Sequence, residues 1–122
     1  MTELLFVDVY ADSHFPRGDG SDWRGLVADP RYVGAILKAS EAWGSTASWS
    51  VRGAAWFATC WPQVRAAAGD RYGQSFFRGA YHYLIFDAAR VRDQVDYYLG
   101  NVERAGGWAA GDLIPIVDVE RG

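Results

Sequence analysis

Four apolar runs alternate with polar, helix-forming stretches along this chain. The first is Leu4 to Tyr10, interrupted by Asp8. The second is Tyr32 to Ala39, with Ser40 and Glu41 at its C-terminal end, and the third is Phe77 to Phe86. The fourth is Leu113-Ile114-Pro115-Ile116-Val117-Asp118-Val119-Glu120. Their length and apolar content predict strands, and the fourth reads as buried on both faces, as in parallel sheets. Side chains alternate across a strand, so Asp118 and Glu120 share a face, with Cα atoms about 6.6 Å apart.

The stretches between them carry helix signals. Asp22 suits the N-cap of a short helix from Trp23 to Ala28, stopped near Asp29-Pro30. After the loop Gly44-Ser45-Thr46-Ala47-Ser48, Trp49 to Gly69 reads as a helix that Pro62 should kink or split. Asp87 suits the N-cap of a third helix, Ala88 to about Arg104. There Val91, Val95, Tyr98, Leu99 and Val102 make one apolar stripe. Ala105-Gly106-Gly107 supplies a glycine C-cap. The polar loop from Ala11 to Asp22 holds His14 near Asp12 and Asp19, a poor metal site.

Strands alternating with helices predict an α/β fold with parallel pairing and right-handed crossovers. Four such units make an incomplete, barrel-like parallel β/α fold, about half of a TIM-like barrel. The acids Asp8, Glu41, Asp118 and Glu120 fall within or at the C-terminal ends of three strands, the edge where such folds bind ligands. Carboxylates gathered there are costly unless solvent, partners or function hold them. The plain alternative is a capped strand end with solvated acids.

Composition narrows the classes. Of 122 residues, 50% are hydrophobic, and six Trp, seven Tyr and six Phe suit either a core or sugar stacking. A net charge of −3 without a basic run argues against a nucleic-acid surface. Cys60 is the one cysteine, so no internal disulfide and no cysteine-rich zinc site is expected, and no metal or other cofactor is implied. Cys60 reads as a small buried hydrophobe, and Trp56 and Trp61 as helix packing. No apolar run reaches about 20 residues, so no membrane span is expected. The N-terminus lacks the basic region and cleavage site of a secretory signal.

The motifs Val7-Asp8-Val9, Ile36-Leu37-Lys38-Ala39-Ser40-Glu41, Gly79-Ala80-Tyr81-His82-Tyr83 and Ile116-Val117-Asp118-Val119-Glu120 stand in a recognisable order. From Leu5 to Glu120 the chain resembles the N-terminal half of glycoside hydrolase family 25, the lysozymes or muramidases. The resemblance implies residues 1–122 as a single, truncated catalytic domain of an endolysin-like hydrolase. Its substrate would be peptidoglycan glycan strands, cut at the β-1,4 bond between N-acetylmuramic acid and N-acetylglucosamine. Glu120 takes the general-acid role, Asp118 orients the substrate or stabilises developing charge, and Asp8 and Glu41 line the same acidic cleft. Tyr81, Tyr83 and Trp43 are candidate sugar contacts. The site of action would be the cell wall, reached by another export route or from a longer precursor.

Three departures stand out. Tyr10 replaces the serine that usually follows the first-strand Asp-Val. Ala42 and Trp43 intervene before Gly44. The family's barrel also continues beyond the D-x-E strand, so self-association or a second chain is expected to complete it. A catalytically inactive half-barrel or carbohydrate-binding module of the same ancestry is the competing reading. A chitinase-like enzyme fits less well, because Pro115 and Ile116 fall where its earlier acids belong.

Overall fold

The structure, a computed structural model, describes residues 3–11, 21–42, 48–85 and 90–119, with 48–51 traced by backbone alone. Strand β1 (Leu5–Val9) leads to helix α1 (Ser21–Ala28) and strand β2 (Tyr32–Glu41). Helix α2 (Ser48–Ala68) and a 3-10 turn (Gly69–Arg71) precede strand β3 (Phe77–Leu84). Helix α3 (Val91–Arg104) and strand β4 (Ile116–Val119) follow. All neighbouring strands pair in parallel, in the order β1-β2-β3-β4. The result is a mixed α/β fold whose four strands curl into a half-barrel.

Period-2 alternation decides the two faces of the sheet. Val9, Ala35, Leu37, Ala39 and Ala80 point outward to the helices. They meet Trp23 of α1, Phe57, Trp61 and Val64 of α2, and Tyr98 and Val102 of α3 in one core. Cys60 joins it as a buried residue, and burial pushes its thiol up to about 11. Trp61 is fully buried and Trp56 packs against the core, as helix packing requires.

On the inner face, side chains close over glycine. A Cβ on Gly34 would lie 2.3 Å from the Phe6 ring and 2.6 Å from the Phe77 carbonyl oxygen. The ring can swing away, but the β3 carbonyl belongs to the ladder. Gly34→Ala should therefore cost about 1–3 kcal/mol, the range for overpacking, read as a lower urea midpoint. An unchanged midpoint would mean that β2 and β3 can separate freely there.

Several expectations are corrected. Asp22 lies in the first turn of α1 and does not precede it. Pro62 does not split α2, which is a single helix of 21 residues. The missing N–H costs one helical bond, while buried Trp61 and Val64 on either side of Pro62 hold the helix on the sheet. Helix α3 begins at Val91 with Arg90 as its N-cap; the expected cap, Asp87, lies outside the described residues. The apolar stripe on α3 is also misplaced. Val91 and Leu99 are exposed, and the buried positions are Gln94, Tyr98, Asn101 and Val102. That set has the same helical spacing, and its polar members bond backbone groups of the sheet.

The C-cap is as expected. Gly107 N–H bonds the Val102 carbonyl at 2.8 Å and Gly106 N–H bonds that of Glu103 at 3.1 Å, with positive φ at both glycines. This is a Schellman motif.

Strand β4 is not buried on both faces. Val117 and Val119 are exposed, and so is Ile114 before it. β4 is an edge strand, so one flank has no neighbouring strand among the described residues. The apolar run is used differently: Leu113 and Ile116 lie over Gly79 of β3.

Candidate functional site

The strands bring part of the predicted site together at one place. Asp8 of β1 and Asp118 of β4 come from opposite edges of the sheet, yet both line one groove of about 350 Å³. Tyr81 of β3 stands between them, with Ile36 and Ile116 as apolar walls. The curl of the sheet produces this meeting, since a flat sheet would hold β1 and β4 three strand spacings apart, about 14 Å. The Tyr81 hydroxyl and the Asp8 carboxylate face the same groove. Burial first, then its interactions with Asp8 and the charge of Asp118, raise the phenol far above its ordinary value of 10.0. Tyr81 thus stays protonated, a hydroxyl beside the two carboxylates.

Next to the groove lies a second polar cluster, positioned by a bulge. Along β2 the register runs Lys38↔Tyr81, Ser40↔His82, Glu41↔Tyr83, so Ala39 is the extra residue. In a regular strand Lys38 and Glu41 would point to opposite faces. The bulge resets the alternation and turns both inward, where they form an ion pair. The Lys38 ammonium sits 5.7 Å from the centre of the Tyr10 ring and 5.1 Å from that of Tyr83. Both are within cation–π range. Tyr83 is also the ladder partner of Asp118, so cluster and groove share a wall.

Of the sequence-predicted residues, Asp8, Asp118 and Tyr81 share the groove, and Glu41 and Tyr83 lie in the adjoining cluster. Glu120 and Trp43 lie outside the described residues, as do His14 and its neighbouring aspartates. Among the described residues no group of three metal-ligating side chains gathers. Lys38 was overlooked as a component in its own right. The signal was there: it is the sole lysine of the 122 residues, three residues before Glu41 near the end of the same strand. Tyr10, noted only as a departure, supplies one of the two rings that flank it.

Behind the sheet, His82 belongs to the core. Its Nδ1 is 2.7 Å from Ser40 Oγ and its Nε2 is 2.9 Å from Gln94 Oε1. Gln94 Nε2 donates to the Ile85 carbonyl at 2.6 Å, and Gln94 Oε1 accepts from Ile85 N–H at 3.1 Å. The amide is thereby fixed with its oxygen toward the ring. Nε2 must carry the hydrogen, and Nδ1 accepts from the Ser40 hydroxyl. The trio has the outline of a nucleophile–base–orienter triad, but Ser40, His82 and Gln94 are fully buried. No substrate reaches them.

Burial lowers the His82 pKa below its ordinary 6.5, partly opposed by the hydrogen bond with Gln94 and by Glu41. Acidification through about 6.5 therefore protonates this histidine in the unfolded chain before the folded one. Stability falls with pH there and levels off below the folded value. Asp29, held at about 2 by Arg31, loses its contribution only below its ordinary 3.8. In a His14→Gln background, urea unfolding should show a lower midpoint at about pH 5.5 than at about pH 7.5. Equal midpoints would remove the buried neutral imidazole from the account.

Compared with known proteins, the chain matches no family model, no curated protein and no solved structure.

Proposed function

We propose that this chain is the acid-bearing half of a TIM-like (β/α) barrel that hydrolyses peptidoglycan, a muramidase of the glycoside hydrolase family 25 type. The observation that carries the reading is the meeting of Asp8 and Asp118, from the two edge strands, in one groove with Tyr81 between them. It rests equally on the order of the four sequence motifs.

The chemistry follows from what a glycosidic bond needs. Its oxygen leaves only when protonated, so a carboxylic acid must hold its proton near neutral pH. On this reading Glu120, two residues after Asp118 in the sequence, takes that role. Like charges disfavour ionisation, so negative charge from Asp118 and Asp8 would help such an acid to hold its proton. The second need is stabilisation of positive charge at the anomeric carbon. Asp118 serves it by orienting the substrate's acetamido group toward that carbon. Asp8, with Tyr81 beside it, borders the same groove. Glu41 with Lys38 and the faces of Tyr83 and Tyr10 form a polar, aromatic rim for the neighbouring sugar, where Trp43 would add a further face. No cofactor is required by this route.

The substrate places the action at the cell wall. A second copy or another chain alongside β1 and β4 would finish the barrel. A carbohydrate-binding half-barrel without catalysis is the second reading, favoured by the exposure of Phe6 and Val119 on those edge strands. Release of soluble, reducing-end muropeptides from purified cell walls separates the two. Release supports the muramidase, and retention on the wall without release supports the binding module. Neither release nor retention rejects both.

A further inference from the structure

Helix α3 buries two polar residues, Gln94 and Asn101, where apolar ones would pack at lower cost. Both reach the same irregularity. Asn101 Nδ2 donates to the Ala39 carbonyl at 3.0 Å, and Ala39 is the extra residue of the β2 bulge. Gln94 fixes His82, and His82 accepts the hydroxyl of Ser40, the next residue of the bulge. Arg104 in turn donates to Asn101 Oδ1, so the amide orientation is set. Tyr98, between these two residues on the helix, bonds the Ala80 carbonyl at 2.6 Å and packs against the His82 ring.

A bulge leaves a ladder residue unpaired, and its backbone polar groups need partners. The helix supplies them from behind the sheet. In front, the same bulge turns Glu41 to the side of Lys38.

We propose that Gln94, acting through His82 and Ser40, and Asn101, acting directly on Ala39, are positioning residues that hold the β2 bulge and thereby set Lys38 and Glu41 against Tyr83 at the rim of the groove. The geometric part of this proposal is independent of the reaction. Only its kinetic consequence rests on the muramidase reading.

The lone lysine makes the test direct. In protein labelled with ¹³C,¹⁵N-lysine, one side chain reports, and its CεH₂ protons should be displaced upfield by the two tyrosine rings. Ser40→Ala removes the hydroxyl that His82 accepts, and Asn101→Leu removes the bond to Ala39 while keeping the branched outline of the side chain. Each variant is expected to retain a cooperative melt, yet to lose the upfield displacement of Lys38. The wild-type protein itself should show the ¹⁵N pattern of a neutral, Nε2-protonated His82 at neutral pH. Unchanged lysine signals in either folded variant would overturn the proposal. So would an Nδ1-protonated or charged His82 in the wild type, a result available even if both variants fail to fold.

If the chain releases muropeptides, Ser40→Ala should lower kcat by about tenfold to a hundredfold with a smaller change in KM, as expected for misplaced groups. An unchanged kcat alongside a displaced Lys38 would overturn the kinetic consequence. If the wild type releases nothing, the muramidase reading fails and the lysine and histidine spectra still decide the positioning role.

Discussion

Asp112→Ala is expected to destabilise the fold by about 3–5 kcal/mol, the largest effect of any single truncation proposed for this chain. Asp112 lies in the loop before β4 and is paired with Arg78 at the start of β3. The side chains are only 1% and 3% exposed. Arg78 Nη2 and Nε meet the two carboxylate oxygens at 2.6 and 2.8 Å, a bidentate fork. The Tyr72 hydroxyl and the Ala109 N–H also donate to Asp112. Arg78 gives a further bond to the Trp61 carbonyl at 2.9 Å and lies 3.6 Å from the centre of that ring. Removing the carboxylate leaves a buried guanidinium without its counter-charge and a half-buried phenol without its acceptor. Asp112→Asn should recover part of the loss by keeping acceptors in place. Arg78→Met with Asp112→Leu should cost less than Asp112→Ala, because no charge is then stranded. Urea unfolding of the three variants checks the order. A double variant less stable than Asp112→Ala would mean that the site tolerates a lone arginine.

On the muramidase reading proposed above, Glu120→Gln is expected to lower muropeptide release by about a hundredfold to ten-thousandfold, the usual worth of a positioned general acid. Glutamine keeps the shape and cannot donate a proton to the leaving oxygen. Asp118→Asn should fall in the same range if it orients the acetamido group. Tyr81→Phe, which removes only the hydroxyl beside Asp8, should lose much less. Full release by Glu120→Gln would remove the acid assignment, whereas equal losses at all three positions would point to binding and not proton transfer.

The strand order and the shared groove were legible because they follow from local signals. Apolar runs of strand length, turns of Gly, Asp and Pro, and the glycine cap after Arg104 placed β1 to β4 to within a few residues. With parallel pairing that also placed Asp8 and Asp118 at one end of the sheet. What stayed hidden depends on partners far apart in the chain. Nothing local marks Arg78 and Asp112 as partners, because they stand 34 positions apart and meet only when the chain between them folds back. Nothing local marks Gln94 and Asn101 as buried either, because hydropathy cannot see that they serve backbone carbonyls. The same blindness put Val91 and Leu99 in the core. The bulge left no mark on the alternation of Ile36 to Glu41. The strand runs on past Ala39, and Ser40 and Glu41 at its C-terminal end belong to the ladder.

The solitary Lys38 also turns a digestion into a gauge of the sheet. A lysine-specific endoprotease has one bond to cut, between Lys38 and Ala39, in the middle of β2 with a paired neighbour on each side. Scission there requires that the central strand leave its ladder, since a protease takes its substrate as free, extended backbone. The speed at which the chain falls into two pieces therefore counts openings of the sheet itself, without interference from frayed ends or surface loops.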